Sequence, residues 1–155
     1  MRERIQAAMK TAMKSGDKRR LSTLRLVTAA IKDRDIAARV DEKGHSTGKD
    51  RVEDSEILAL LQKMIKQRRE SAEIYTQGGR EELAEQEAAE IAIIEEFLPQ
   101  QMGEDEIRNV TKAVVEELGA KGLKDMGRVM GALKERYMGK MDFTKASAMV
   151  KEALK

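Results

Sequence analysis

The chain has 155 residues, of which 41% are hydrophobic, 37% are charged and only 3% are aromatic. This length accommodates one ordinary domain or two small ones. Because the sequence contains no cysteine and a single histidine, it excludes disulfides, thiolate nucleophiles and zinc sites built from Cys or several His ligands. No apolar run approaches the ~20 residues that a membrane-spanning helix needs. A cysteine-free chain without such a run predicts a cytoplasmic protein with no membrane association.

The net charge of +2 conceals an uneven distribution along the chain. Residues 1–52 carry 14 basic and 7 acidic side chains, residues 53–98 carry 5 and 12, and residues 99–155 carry 11 and 9. The basic beginning and the acidic middle either neutralise each other within the fold or leave a basic surface for an anionic partner.

Two helices are predicted before residue 40, because apolar residues recur there at helical spacing. The first helix ends at Ser15 and Gly16, where glycine suits a left-handed C-terminal cap. Asp17 is the predicted N-cap of the second helix, which fades near Arg39. The polar residues 40–52 contain two glycines and predict a mobile surface loop.

Two further helices follow in the acidic middle of the chain. The third is predicted to begin near Asp54 or Ser55 and to end at the Gly78-Gly79 pair. The fourth ends at Phe97 or Leu98, because Pro99 lacks an amide hydrogen and disfavours helix in the residue before it.

The remaining residues, 99–155, predict three shorter helices separated by glycine turns. Gly119 closes the first of them, while Asp125 and Asp142 are the predicted N-caps of the second and third. Three amphipathic helices can enclose a small core of their own. We therefore predict an all-α fold, with a four-helix N-terminal domain (1–98) followed by a small three-helix tail domain (99–155).

Several motifs, in order along the chain, resemble the signature of the YqeY-like family. They are residues 24–27 (LRLV), 30–32 (AIK), 66–71 (KQRRES), 90–99 (EIAIIEEFLP) and 124–130 (KDMGRVM). The resemblance implies the same all-α architecture. It also implies that the C-terminal part is similar to the tail domain of the B subunit of the tRNA-dependent amidotransferase, which contacts tRNA and is not the chemical centre.

The resemblance therefore implies a non-catalytic accessory module that binds tRNA or a tRNA-handling enzyme through its C-terminal helices. If the family's enzymatic association carried over, the activity would be that of a carbon–nitrogen ligase with glutamine as amido-nitrogen donor. The glutamine-hydrolysing subunit uses a Ser-Ser-Lys set in a glycine- and serine-rich segment, whereas the six serines here are scattered. We predict no catalytic residues and no cofactor. A protein–protein adaptor that binds no nucleic acid is the alternative.

Basic side chains supply the candidate nucleic-acid contacts. In the tail they gather around glycine turns and are Lys121, Lys124, Arg128, Lys134 and Lys140. In the N-terminal domain they lie on the second and third helices and are Arg25, Lys66 and Arg69. The helix start at Asp125 is predicted to offer free amides to a phosphate. With so few aromatic residues for base stacking, binding is expected to read phosphates and shape. Ordinary surface charge is the competing interpretation.

Two other features suggest chemistry but fit a plainer explanation. The segment 44–50 (GHSTGKD) resembles a phosphate-binding loop, yet it has three residues between the glycines where four are needed, and Asp50 replaces the hydroxyl. His45 in that segment is predicted to be a solvated loop residue. The fourth helix is rich in glutamate but lacks the Glu-x-x-His pairs of a dimetal centre, so it predicts a solvated acidic face and no metal.

Overall fold

The computed structural model describes residues 1–155, and its regular secondary structure is helical apart from one isolated bridge. The α-helices are α1 (Arg2–Ser15), α2 (Lys18–Ala38), α3 (Asp54–Gln77), α4 (Glu81–Glu95), α5 (Glu104–Leu118), α6 (Met126–Tyr137) and α7 (Phe143–Ala153). A short 3₁₀ helix, Leu123–Asp125, precedes α6, and one isolated bridge joins Val40 to Ser46. The predicted all-α fold is confirmed.

The chain forms two compact units, Met1–Leu98 and Pro99–Lys155. The N-terminal unit contains α1–α4 and the tail unit contains α5–α7. Each unit has its own cluster of buried apolar side chains. The fully buried residues at the centre of the N-terminal core are Leu24, Val27, Ile57, Leu61 and Ile94, and those of the tail core are Val129, Leu133, Met141, Ala146 and Val150.

The junction between α1 and α2 has the predicted caps. Gly16 ends α1 with a φ of 74°, and its amide donates to the Ala12 carbonyl. The Asp17 carboxylate then accepts the amide hydrogen of Arg20 and caps α2. Both caps satisfy backbone groups that a helix end leaves without partners. They turn the chain so that α1 lies against α2.

The end of α4 differs from the prediction. The α-helix ends at Glu95, and the Phe97 and Leu98 amides donate instead to Ile94 and Glu95 at 3.1 Å each. This i→i−3 pattern is a tighter 3₁₀-type turn, which commonly completes a helix. The helix stops before Pro99 as expected, but a 3₁₀-type turn separates the end of the α-helix at Glu95 from the proline.

The segment after α2 lies on the surface, as predicted, but backbone and side-chain hydrogen bonds hold it. The Asp41 carboxylate accepts the amides of Lys43 and His45, and the Asp41 amide donates to the His45 carbonyl at 2.8 Å. At the end of the segment, Val52 is buried in the N-terminal core. The loop therefore returns to the fold at a fixed point.

The tail helices are tied together near their starts. The Met102 amide donates to the Lys140 carbonyl at 2.8 Å, and the Gln101 side chain donates to the Gly139 carbonyl at 2.6 Å. The Asp142 carboxylate accepts the amides at the start of α7, which confirms its predicted cap. These bonds join the beginning of α5 to the beginning of α7.

Candidate nucleic-acid interface

The tail cations predicted as contacts all lie exposed along α6 and its flanks. Lys121 and Lys124 precede the helix, Arg128 lies in its first turn, Lys134 lies in its last turn and Lys140 follows it. A helix of 12 residues is about 18 Å long. The five cations therefore follow the length of one helix and do not converge on a single pocket.

Most of these cations have no acidic partner within the protein. Lys121, Lys124, Lys134 and Lys140 form no ion pair, and Arg128 approaches Asp125 only at 3.5 Å. Arg136 on the same helix behaves differently, since its guanidinium binds both Glu117 oxygens at 2.7 and 2.9 Å. The unpaired lysines are therefore available to a phosphate backbone.

Asp125 occupies the predicted N-cap position of α6, but its carboxylate accepts no hydrogen bond from the helix, so the side-chain cap that was predicted does not form. Its carboxylate accepts the Lys121 amide at 3.0 Å instead, and its own amide donates to the Gly122 carbonyl. The Lys121 amide, followed by the charges of Arg128 and Lys124, holds the pKa of the Asp125 carboxyl below its usual range. The helix start therefore carries a negative charge, and contact with a phosphate depends on the basic side chains.

Two glycines leave a bare strip on the exposed side of α6. Gly127 and Gly131 are exposed and lie one turn apart, and a Cβ added at either would meet no atom within 4 Å apart from the neighbouring backbone of α6 itself. Glycine inside a helix costs about 1 kcal/mol relative to alanine. Nothing within the tail requires that cost, and the strip allows a partner backbone to approach between the flanking cations.

The candidate cations of the N-terminal unit have different surroundings. Arg25 is exposed on α2 without an ion pair, and Lys66 is exposed on α3. Arg69 donates to the Glu95 carboxylate on α4 at 2.9 Å. Arg69 therefore links α3 to α4, and its charge is partly neutralised within the unit.

The glutamates of α4 and its end partly neutralise bases of the same unit. Besides the Arg69 pair, Arg68 donates to Glu90 at 2.9 Å and Arg20 donates to Glu96 at 2.5 Å. Burial, followed by repulsion from Glu90, raises the pKa of Glu87. The acidic face predicted from the sequence is thus in part an internal partner of α2 and α3.

The most strongly perturbed carboxyl, Asp35, was not among the predicted site residues. Arg2 forms a bidentate pair with it at 2.7 and 2.8 Å, and the Val52 amide donates to it at 2.8 Å. Chiefly because of the Arg2 hydrogen bonds, the pKa of Asp35 is lowered to about 2. Arg2 also donates to the Val52 carbonyl at 2.9 Å. The cluster fastens α1, α2 and the returning loop together, which is a structural role.

A groove of about 520 Å³ lies between α5 and α7 in the tail. Thr111 lines it with a buried hydroxyl that has no hydrogen-bond partner. The sequence predicted neither feature, since Thr111 follows the apolar spacing of α5.

Two kinds of site are not formed by the described chain. No three His, Asp or Glu side chains come together as a candidate metal site. None of the helices combines the length and the apolar character needed to cross a bilayer. His45 lies 74% exposed in the loop after α2, with Nδ1 3.6 Å from the Asp41 carboxylate.

Comparison with known proteins identifies the family. The family model described as Yqey-like protein matches residues 2–154, which is nearly the whole chain. The chain belongs to the YqeY-like family. A similar curated protein is "Altered inheritance of mitochondria protein 41, mitochondrial" from Pyrenophora tritici-repentis (strain Pt-1C-BFP). It is 31% identical over 139 residues, which cover 88% of this chain and 71% of that protein. Because that relative is named as mitochondrial, membership in the YqeY-like family does not by itself imply the cytoplasm.

Proposed function

We propose that this YqeY-like protein is a non-catalytic accessory module that binds tRNA, or an enzyme that handles tRNA, through its tail unit. The observation that carries the proposal is the surface of α6, where exposed cations, of which the lysines have no ion pair, flank the bare strip at Gly127 and Gly131. Lysine and arginine neutralise phosphates, and glycine lets a backbone approach closely. We place this activity in the cytoplasm.

The expected mode of recognition is contact with the folded RNA backbone. Tyr137 and Phe143 are the aromatic residues of the tail, and both are half-buried against its core. Neither presents a free ring on which an RNA base stacks. The interface therefore suits a structured RNA read through its phosphates and its shape.

The test is an electrophoretic shift of the full chain with total tRNA, with duplex DNA as a comparison, repeated across salt concentrations. The reversal variant carries Lys124→Glu, Arg128→Glu and Lys140→Glu. A matched variant carries Lys112→Glu, Lys145→Glu and Lys151→Glu, which are exposed lysines of α5 and α7. Both variants change the net charge equally, so only the position of the charges differs.

We expect tRNA binding that weakens steeply with salt, because phosphate contacts release counterions. The reversal variant should lose most of this binding and have a salt slope smaller by about two to three units. The matched variant should lose less. Equal losses in both variants, or no binding of tRNA by the unaltered chain at low salt, would contradict the proposal.

Two other functions give different results. In a protein–protein adaptor, apolar contacts persist as salt rises, whereas phosphate contacts weaken. A component of glutamine-dependent amidotransferase chemistry would release ammonia when the chain is incubated with glutamine. We expect no ammonia.

A further inference from the structure

The second helix has apolar side chains on two opposite faces. Leu24, Val27 and Ile31 are buried in the N-terminal core. On the far side, Leu26 and Ile36 are 50% and 57% exposed. Single exposed apolar residues are common, but two that lie on one face of the same helix need a joint explanation.

These residues belong to a regular row, which we call the outer α2 stripe: Ser22, Leu26, Ala29, Asp33 and Ile36. All five are exposed, and the steps between them are four, three, four and three residues. This alternation is the heptad spacing at which one helix packs against another along a seam. The small residues Ser22 and Ala29 allow a partner helix to approach closely. The spacing therefore fits a helix as the occupant.

A row of cations follows one side of the stripe. Lys18, Arg25, Lys32 and Arg39 are spaced by seven residues, and all four are exposed. None of them forms an ion pair within the unit. Charges beside a helical seam select the charges of the partner helix. The row therefore favours a partner with acidic residues along the matching side.

A second copy of the same helix fits poorly on this surface. Parallel pairing would bring Asp33 against Asp33 of the other copy, within the seam. Antiparallel pairing with Leu26 opposite Ile36 would bring the two Lys32 side chains together at the twofold axis. Like charges at such positions are destabilising. The charge pattern thus disfavours self-association and favours a different chain.

We propose that the outer α2 stripe is a docking site for an amphipathic helix of a partner protein. That helix has apolar residues facing Leu26 and Ile36 and acidic residues facing the Lys18–Arg39 row. It has a basic or amide side chain in the layer of Asp33. The site is in the N-terminal unit and does not depend on RNA binding by the tail.

The probe is a designed helical peptide of about three heptads with leucine along its seam, lysine opposite Asp33 and glutamate along the flank. A second peptide has the same seam and lysine along the flank. Binding of each labelled peptide to the full chain is followed by fluorescence anisotropy. We expect the acidic peptide to bind about tenfold more tightly, or better, because only its flank complements the cations.

Three variants distinguish binding at the outer α2 stripe from non-specific hydrophobic binding elsewhere on the chain. Leu26→Gln with Ile36→Gln should weaken the acidic peptide by about tenfold or more, because its seam loses its apolar contacts. Ile74→Gln removes an exposed apolar residue of α3 (67% exposed) and should leave binding unchanged. Lys18→Glu with Arg25→Glu and Lys32→Glu should reverse the preference between the peptides. These residues are exposed, and circular dichroism checks that each variant remains folded.

Several results would overturn the proposal. One is equal affinity for the two peptides; another is a loss with Ile74→Gln as large as the loss with the stripe variant. A dimer of the unaltered chain that the stripe variant abolishes would assign the surface to a second copy. If the unaltered chain bound neither peptide and the stripe variant lost tRNA binding, the outer α2 stripe would be assigned to RNA binding.

Discussion

At the scale of single residues, Asp35 carries the clearest energetic weight in the N-terminal unit. It is 8% exposed and accepts hydrogen bonds from both Arg2 and Val52. A buried carboxylate is tolerated when donors surround it, and removing it leaves those donors without an acceptor. Asp33, two residues earlier, is exposed on the opposite side of α2 and provides a matched comparison.

We expect Asp35→Ala to lower the free energy of unfolding of the N-terminal unit by about 2–3 kcal/mol. Asp33→Ala should change it by less than about 0.5 kcal/mol. Hydrogen exchange of the Val52 amide and its neighbours in increasing urea measures both values. Equal effects of the two substitutions would show that the Asp35 cluster contributes little.

The same carboxyl predicts a pH dependence. Its pKa of about 2 in the folded state lies below the ordinary value near 3.8. Because the carboxyl binds its proton less tightly in the folded state, it stabilises the fold at pH values above its unfolded-state pKa. That stabilisation is lost as pH falls from about 4 towards 2. The loss should amount to roughly 2 kcal/mol. As pH falls through this range, the free energy of unfolding should therefore decrease less steeply in Asp35→Ala than in the unaltered chain. Equal pH dependence of the two proteins would contradict the lowered pKa of Asp35.

Removing the Thr111 hydroxyl should stabilise the protein, in contrast to removing the Asp35 carboxylate, because this buried hydroxyl has no hydrogen-bond partner. Valine has nearly the same shape and removes the unsatisfied group. Thr111→Val should therefore stabilise the tail unit by about 1 kcal/mol, measured by thermal unfolding. Destabilisation would mean that the hydroxyl forms a hydrogen bond in solution.

At the scale of the elements, glycines have different roles in α5 and α6. Gly119 ends α5 with a φ of 62°, a backbone conformation that other residues rarely adopt. Gly127 and Gly131 lie inside α6 with open space at the Cβ position. The first position needs glycine for the fold, whereas the other two do not.

We expect Gly127→Ala and Gly131→Ala each to stabilise the tail by up to about 1 kcal/mol, because alanine favours helix. Gly119→Ala should destabilise it by about 1 kcal/mol or more. Under the proposed function, the two α6 substitutions should also weaken tRNA binding while raising stability. Thermal unfolding and the electrophoretic shift report the two effects separately, and unchanged tRNA binding would remove the bare strip from the interface.

At the scale of the whole molecule, the two apolar cores belong to separate stretches of chain. Leu61 lies at the centre of the N-terminal core and Leu133 at the centre of the tail core, and both are fully buried. Each core is assembled from helices that are neighbours in sequence. We therefore expect each unit to respond by itself to the loss of a core side chain.

Leu133→Ala should destabilise the tail by about 3 kcal/mol, because it leaves a cavity. Leu61→Ala should do the same to the N-terminal unit. Hydrogen exchange followed by mass spectrometry should show faster exchange in the tail peptides for the first variant and in the N-terminal peptides for the second. Faster exchange across both units from either substitution would show that they unfold together.

The sequence by itself determined most of the local structure. Apolar spacing predicted seven helices, and Gly16, Asp17 and Asp142 were recognised as caps because capping depends on residues only a few positions apart. The motifs also identified the family, and the family model then confirmed it. The basic character of α6 was likewise visible in the residue types.

The tertiary structure decided which of those residues have partners. Asp125 stands at the N-cap position of α6, but its carboxylate accepts the Lys121 amide and no amide of the helix. Arg69 pairs with Glu95 across two helices. The Asp35 cluster joins residues up to 50 positions apart. Which side chains meet across such separations depends on how helices pack, and helical periodicity carries no information about it. For this reason the sequence predicted where the cations lie, and only the fold showed which of them remain available to a partner.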